Sequence, residues 1–304
     1  MDMDIEMNMK ITGPTSHRSQ AGFSLLELLI VVALMTIVMT SVFNTINLSA
    51  QRSVSEQTRV DLTQEGREFV DEFERDLHQA GYPNCRITGT AGVASNCPAD
   101  YSLAQQNVAT NSLVATGLVY VSNTQVVFEG DVDGDGVVDS IRYQLVDSAG
   151  NFPPTGTCPC TIKRSQMPKV NGTLPLAQPT TWSQELQNVV NSGVPAVGAA
   201  YGGGLPIAGN TAWGQSNTSY YAAISSFKDF PVFQAYDQNG LIVQLPQDLS
   251  AGSILLNCSA SSTNCIKTIR LTIDLLANAG TGVDLKTKTR PVTTLVGDAR
   301  LVNN

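Results

Sequence analysis

The sequence predicts an α+β chain: one long N-terminal α-helix, transmembrane in its first half and amphipathic in its second, packed on an antiparallel β-sheet head. Three observations carry that prediction. Residues Phe23 to Phe43 are apolar apart from Ser24, Glu27, Thr36, Thr40 and Ser41. No proline occurs between Pro14 and Pro83, so a helix begun at Phe23 meets no breaker for some sixty residues. Beyond Cys85 the apolar spacing changes from helical to alternating, which is the mark of half-buried strands.

The first element is the apolar run. About 20 apolar residues cross a bilayer as a helix, and Phe23–Phe43 supplies 21. A polar leader with Lys10 and Arg18 precedes it. In a secretory signal the cleavage site follows the apolar core, so the core is discarded. Here the small residue fit for cleavage, Gly22, comes before the core, and cutting there keeps it. Glu27 places a carboxylate inside the span, which costs several kcal/mol unless it is paired and so marks a functional candidate.

Gly22-Phe23-Ser24-Leu25-Leu26-Glu27-Leu28-Leu29-Ile30-Val31 resembles the type IV prepilin signature. The resemblance covers about a tenth of the chain. It implies residues 1–22 as leader, cleavage between Gly22 and Phe23 by a prepilin peptidase, and N-methylation of Phe23. It also implies that Glu27 pairs with the free amine of Phe23 on a neighbouring subunit during assembly. The implied fold is type IV pilin-like. The implied course is a single-pass protein of the inner membrane, its head in the periplasm, that joins a cell-surface pilus through the N-terminal helix. Many major pilins carry proline where this chain has Asn44, so the familiar kink is not expected at that point.

The second half of the helix follows from Leu62, Phe69, Phe73 and Leu77, which fall on one face. That stripe is expected to pack on the head while Glu72, Glu74, Arg75 and Asp76 stay in water. Gly66 interrupts it at a cost of about 1 kcal/mol relative to Ala, and a close packing contact is the expected reason, with a flexible joint as the alternative. Ala80-Gly81, with Pro83 just beyond, reads as the stop, giving a helix over 23–81. Asp76-Leu77-His78-Gln79-Ala80-Gly81-Tyr82-Pro83-Asn84-Cys85 resembles the helix end of PilW-type minor pilins, which have an Ala-Gly-Tyr before a Cys.

The head is expected over 82–304. Strands are read at Leu113-Val114, Leu118–Val121, Gln125–Phe128, Ile141–Leu145, Pro231–Phe233, Leu241–Leu245 and Ile266–Leu275, with Gly297–Leu301 as a last strand or tail. Asn239-Gly240 signals a hairpin. Between about 170 and 227 the only charged residue before Phe227 is Glu185, and Gly202-Gly203-Gly204 lies within it. This stretch reads as a long loop excursion, interrupted by a helix over Gln184–Asn191.

Asp131-Val132-Asp133-Gly134-Asp135-Gly136-Val137-Val138-Asp139 spaces its acids like the first nine positions of a calcium loop. Asp131, Asp133, Asp135 and Asp139 would supply carboxylates and Val137 a carbonyl, with Gly136 at the turn. The twelfth position is Arg142, and the flanks read as strands, so the loop is not an EF-hand. The missing oxygen would come from Glu129 or water. A well-solvated Asp-Gly turn is the plain alternative to Ca2+.

Composition narrows the remaining functions. The net charge is −8, and −7 over residues 23–304. An acidic chain gains nothing from neutralising phosphates, so no nucleic-acid partner is expected. Cys85, Cys97, Cys158, Cys160, Cys258 and Cys265 all follow the apolar run, an even count that reads as disulfides in an oxidising compartment. Zinc is disfavoured by the two His and the lack of CxxC spacing. No catalytic set is legible: His78 is the only His after the leader, and no phosphate loop occurs. The expectation is a minor pilin acting in type IV pilus assembly. The alternatives are a minor J-like pseudopilin of a type II secretion system, or a tip-located adhesin or DNA-uptake pilin using the 170–227 insert.

Overall fold

Residue 22 and residues 24–82, 109–193, 227–250, 265–277 and 290–302 are described by the computed structural model. A single helix, α1, runs from Leu25 to His78, unbroken at Asn44. The chain divides into two compact units, 1–50 and 51–304. In the first, the described part is the apolar stretch of α1, and every residue from Leu25 to Ala50 is exposed. It is long and apolar enough to cross a membrane.

The second unit holds the remainder of α1 and a sheet of ten strands among the described residues. These are β1 (Gly117–Val121), β2 (Gln125–Gly130), β3 (Asp139–Val146), β4 (Cys160–Pro168), β5 (Trp182–Val189), β6 (Phe233–Asp237), β7 (Ile242–Val243), β8 (Gln247–Asp248), β9 (Ile266–Leu276) and β10 (Val292–Arg300). The spatial order is β7-β6-β9-β5-β4-β3-β2-β1-β8, with β10 on the other side of β9, and every pairing is antiparallel. An α+β architecture of one long helix and an antiparallel sheet is therefore observed.

The apolar stripe does what its period requires. Leu62, Gly66, Phe69, Phe73 and Leu77 are all buried, and they join strand residues such as Phe128, Ile141, Phe233 and Leu275 in one core. Burying a side chain of this size contributes roughly 2 kcal/mol. Tyr143 of β3 sits at the centre. Phe69 and Phe73 meet its ring edge-on at 6.0 and 5.2 Å, and Phe128 stacks at 6.4 Å. The helix approaches the β9–β10 pair closely through two glycines. A Cβ on Gly66 would run into Leu295 and come within 3.0 Å of Leu275; one on Gly297 would come within 2.7 Å of Glu74. After His78 the helix tightens, and Gly81 takes φ +80, the left-handed stop. The exit strand is then held to the end of β2: Gly81 N donates to Glu129 O at 2.8 Å and Asp131 N to Tyr82 O at 2.9 Å.

Four expectations need correction. The segment read as a helix over Gln184–Asn191 is β5: Leu186 pairs with Ile162 and Val189 with Leu275, so it joins β4 to β9. Pairing and burial of Leu186 and Val189 override the helix propensity of Gln-Glu-Leu-Gln. The insert therefore contains a strand, and residues 194–226 of it lie outside the described residues. Leu113-Val114 is a turn, and the first strand begins at Gly117. Asp76, expected in water, is 2% exposed, because Arg164 of β4 meets it in the core. Glu72 and Glu74 are half-buried.

Candidate functional site

Near the N-terminus, a Cβ added to Gly22 would meet no atom within 4 Å among the described residues. Phe23 lies outside the described residues. Ser24 opens the helix, its carbonyl accepting from Glu27 N at 2.9 Å and Leu28 N at 3.1 Å. Glu27 thus falls in the first turn of α1, exposed, where the helix dipole favours a negative charge. The following apolar side chains are exposed as well, from Leu25 at 79% to Phe43 at 62%. Thr36 and Thr40 return their hydroxyls to the carbonyls of Val32 and Thr36, which hides polar groups within the helix. Such a surface can meet lipid or like helices, and one carboxylate near its start can meet a cation.

The acidic loop links β2 to β3. Oxygens of Asp131, Asp133 and Asp135 lie within 4.8 Å of one another. Asp131 is buried and organises the turn, accepting from Gly134 N at 2.8 Å and Gly136 N at 3.0 Å. Asp133 Oδ1 accepts from Asp135 N and Asp135 Oδ1 from Val137 N. Asp139 is not in that tight group; its Oδ2 accepts from Gln166 Nε2 at 2.6 Å. Burial, with Asp133, Asp135 and Asp131 nearby, pushes the Asp139 carboxyl up. Glu129 is otherwise engaged: its Oε2 accepts from Lys169 Nζ at 2.6 Å and Thr116 N at 2.9 Å, in a pair with both side chains fully buried. Arg142 donates to the carbonyls of Pro175 and Gln178.

A polar chain that the sequence did not announce leads from this loop to the helix. Gln166 Nε2 also reaches Asp133, and its Oε1 accepts from Arg164 Nη2 at 2.8 Å. Arg164 Nη2 and Nε both donate to Asp76 Oδ2, at 2.6 and 2.9 Å, and Glu72 lies 3.6 Å away. Tyr143 OH donates to the same Asp76 oxygen at 2.7 Å. Burial first, then Asp76, raises the Tyr143 pKa well above its usual range, so the phenol stays a donor. Burial opposes the Arg164 charge, but Tyr143 and Asp76 outweigh it and hold the guanidinium ionised. The only signal for this network was the alternation of Arg164 and Gln166 in a strand whose charges concealed it.

Of the cysteines, Cys158 and Cys160 are bonded to each other across Pro159, with Cα atoms 4.4 Å apart and both residues buried. Cys265 is also disulfide-bonded. Cys85, Cys97 and Cys258 lie outside the described residues. His78 is exposed on the last turn of α1.

Residues 17–43 match the family model of the prokaryotic N-terminal methylation motif. No curated protein and no solved structure matches the chain. The motif marks type IV pilin and pseudopilin-type chains. In general terms it carries with it processing by a prepilin peptidase, assembly of pilin with pilin, and membrane anchoring through the apolar helix.

Proposed function

We propose that this chain is a minor pilin of the PilW type, a structural subunit that acts in type IV pilus assembly and initiation. The observation that carries the reading is the junction at Gly22: a methylation motif over 17–43 takes in that junction and the start of an apolar helix exposed along its whole first half. The peptidase cuts between Gly22 and Phe23, the new amine of Phe23 is methylated, and Glu27 meets that amine on a neighbouring subunit. A buried carboxylate and ammonium each cost several kcal/mol alone, so the pair favours docking in register over unspecific contact. The role is structural rather than catalytic.

Mass spectrometry of the mature protein checks the first step: the chain is expected to begin at methylated Phe23, and any other start removes the reading. Glu27→Ala is expected to leave cleavage intact and reduce incorporation into filaments by at least tenfold. The alternative of a type II secretion pseudopilin shares this N-terminal chemistry, and gene deletion separates them: lost surface pili against lost exoprotein secretion. A tip adhesin using the 170–227 insert predicts that removing residues 194–226, which spares β5, abolishes binding while pili persist.

The convergence of Asp131, Asp133 and Asp135 supports a second, independent reading, that the β2–β3 loop binds Ca2+. Each carboxylate oxygen engaged by a loop amide keeps a second lone pair for a cation. Calorimetric titration of the detergent-solubilised chain with CaCl2 is expected to give saturable heat and a higher melting temperature. Absence of both discards the site.

A further inference from the structure

A strand that ends a sheet presents alternate N–H and C=O groups to whatever lies beside it, and proteins commonly blunt such edges. Two ends of this sheet are blunt by length, since β7 and β8 have two residues each. The edge at β10 is long. Its nine residues pair with β9 without a register break, from Val292↔Leu276 to Arg300↔Thr268. Among the described residues no strand pairs with its other side.

Its neighbours fix which groups face outward. Ala277 N donates to Pro291 O, and Leu301 N to Lys267 O. The odd-numbered residues therefore bond β9, and the even-numbered ones point away. Asp298 N accordingly donates to Glu74 Oε1 on α1, at 3.1 Å, so the helix closes the edge there. From Val292 to Val296 it stays open among the described residues. This stretch contains no charge and no bulge, and Val296 is 54% exposed. It borders a groove of about 710 Å3 between α1 and the start of β10, lined by Glu56, Arg59, Val60, Thr63, Arg67 and Val292 among others.

We propose that this edge takes an extended, uncharged segment of a partner polypeptide, which adds to the sheet as a further strand beside β10. The edge itself defines the occupant. Its outward groups recur at every second residue, about 6.8 Å apart, and only another extended main chain answers them in turn. A helix or a folded surface has its own main-chain groups already engaged. Val60, Thr63 and Val292 admit small or β-branched side chains at alternate positions of the added strand. Glu56, Glu68 and Asp71 stand against Arg59 and Arg67 around the groove, so both signs are present with one acid in excess and a charged segment of either sign meets a like charge there.

A synthetic peptide of the sequence Pro291–Gly297 is the probe. Val292-Thr293-Thr294-Leu295-Val296 reads nearly alike in both directions. Antiparallel addition therefore sets Val against Val and Thr against Thr, pairs that sheets favour. The peptide is expected to bind the detergent-solubilised full chain saturably by fluorescence anisotropy. Hydrogen exchange should slow at the amides of Thr294 and Val296. Val296→Lys and Val296→Pro should each weaken binding at least tenfold. The Val296 side chain is exposed and its N–H takes no part in β9 pairing, so Val296→Lys should keep the parent melting temperature even if the proline variant does not fold. No saturable binding, binding that Val296→Lys leaves unchanged, or protection only at other amides overturns the assignment. Self-association of the chain that Val296→Lys abolishes would place a second copy on the edge and overturn this occupant.

Discussion

Two aspartates show how environment sets the sign of a charge's effect on stability. Asp147, at the end of β3, accepts from the backbone N–H groups of Ala149, Asn151, Thr155 and Gly156 and from the Asn151 side chain. These bonds, the Asn151 amide foremost, hold its pKa down at about 2. Its contribution is thus complete above the value of an unfolded aspartate, about 4, and is lost as pH falls through 2. Asp147→Ala is expected to unfold more readily at pH 7 and to converge with the parent in strong acid, as read from urea unfolding at a series of pH values. Asp274 of β9 is the reverse case. Burial raises its pKa to about 6; Thr294 donates to one oxygen, and Oδ2 has no partner. The folded chain then holds this proton more tightly than the unfolded one. Stability from this group is greatest below about pH 4 and declines as pH rises through 6. Asp274→Asn should therefore raise the melting temperature at pH 7.5, by up to about 3 kcal/mol of stability for a shift of roughly two units, with little gain at pH 4. Neither effect was legible in the sequence: Asp147 draws on a local turn over residues 149–156 that no motif marks, and Asp274 depends on burial and on Thr294, brought to it by β10.

At the scale of elements, α1 was the most readable part of the chain. Its buried stripe repeats with the helical period, and its stop at Gly81 needs a residue tolerant of positive φ. The strands from β1 to β3, the β6–β7 hairpin and β9 also announced themselves by alternation. β4 did not, because Lys163 and Arg164 interrupt its apolar face and Arg164 turns inward to Asp76. β5 read as a helix because local propensity carries no information about the two strands waiting to pair with it. Gly66 illustrates what lies between these cases: its helical cost was visible, and its reason required Leu295, far along the chain. Gly66→Val should destabilise by about 1–3 kcal/mol through overpacking against Leu295 and Leu275, measurable as a lowered urea midpoint with an unchanged slope. Were the glycine only a weak helix position, the same change would stabilise.

For the whole molecule, the N-terminal quarter and the head pose different problems to a reader of the sequence. The first is governed by length, polarity and one short motif, all local, so Gly22, Phe23 and Glu27 could be picked out directly. The acidic loop was equally visible, yet its ties through Gln166 and Arg164 to Asp76 were not, since they join positions far apart in the chain. Disulfide partners are not encoded in spacing: Cys158-Pro159-Cys160 could close on itself or each thiol could reach elsewhere, and the coordinates close the ring. The Asp76 contact also binds the helix to the sheet. Removing it by Asp76→Ala leaves Arg164 facing Tyr143 without its main counter-charge, and should cost roughly 3 kcal/mol.

That ionic link has a mechanical side. Tension applied along α1 enters the sheet where Asp76 grips Arg164, and at the two backbone bonds that fasten the helix exit to Glu129 and Asp131. These fastenings cluster at the last turn of the helix, beyond most of the apolar stripe from Leu62 to Leu77 and the Glu74–Asp298 tie, so a pull on the other end reaches them last.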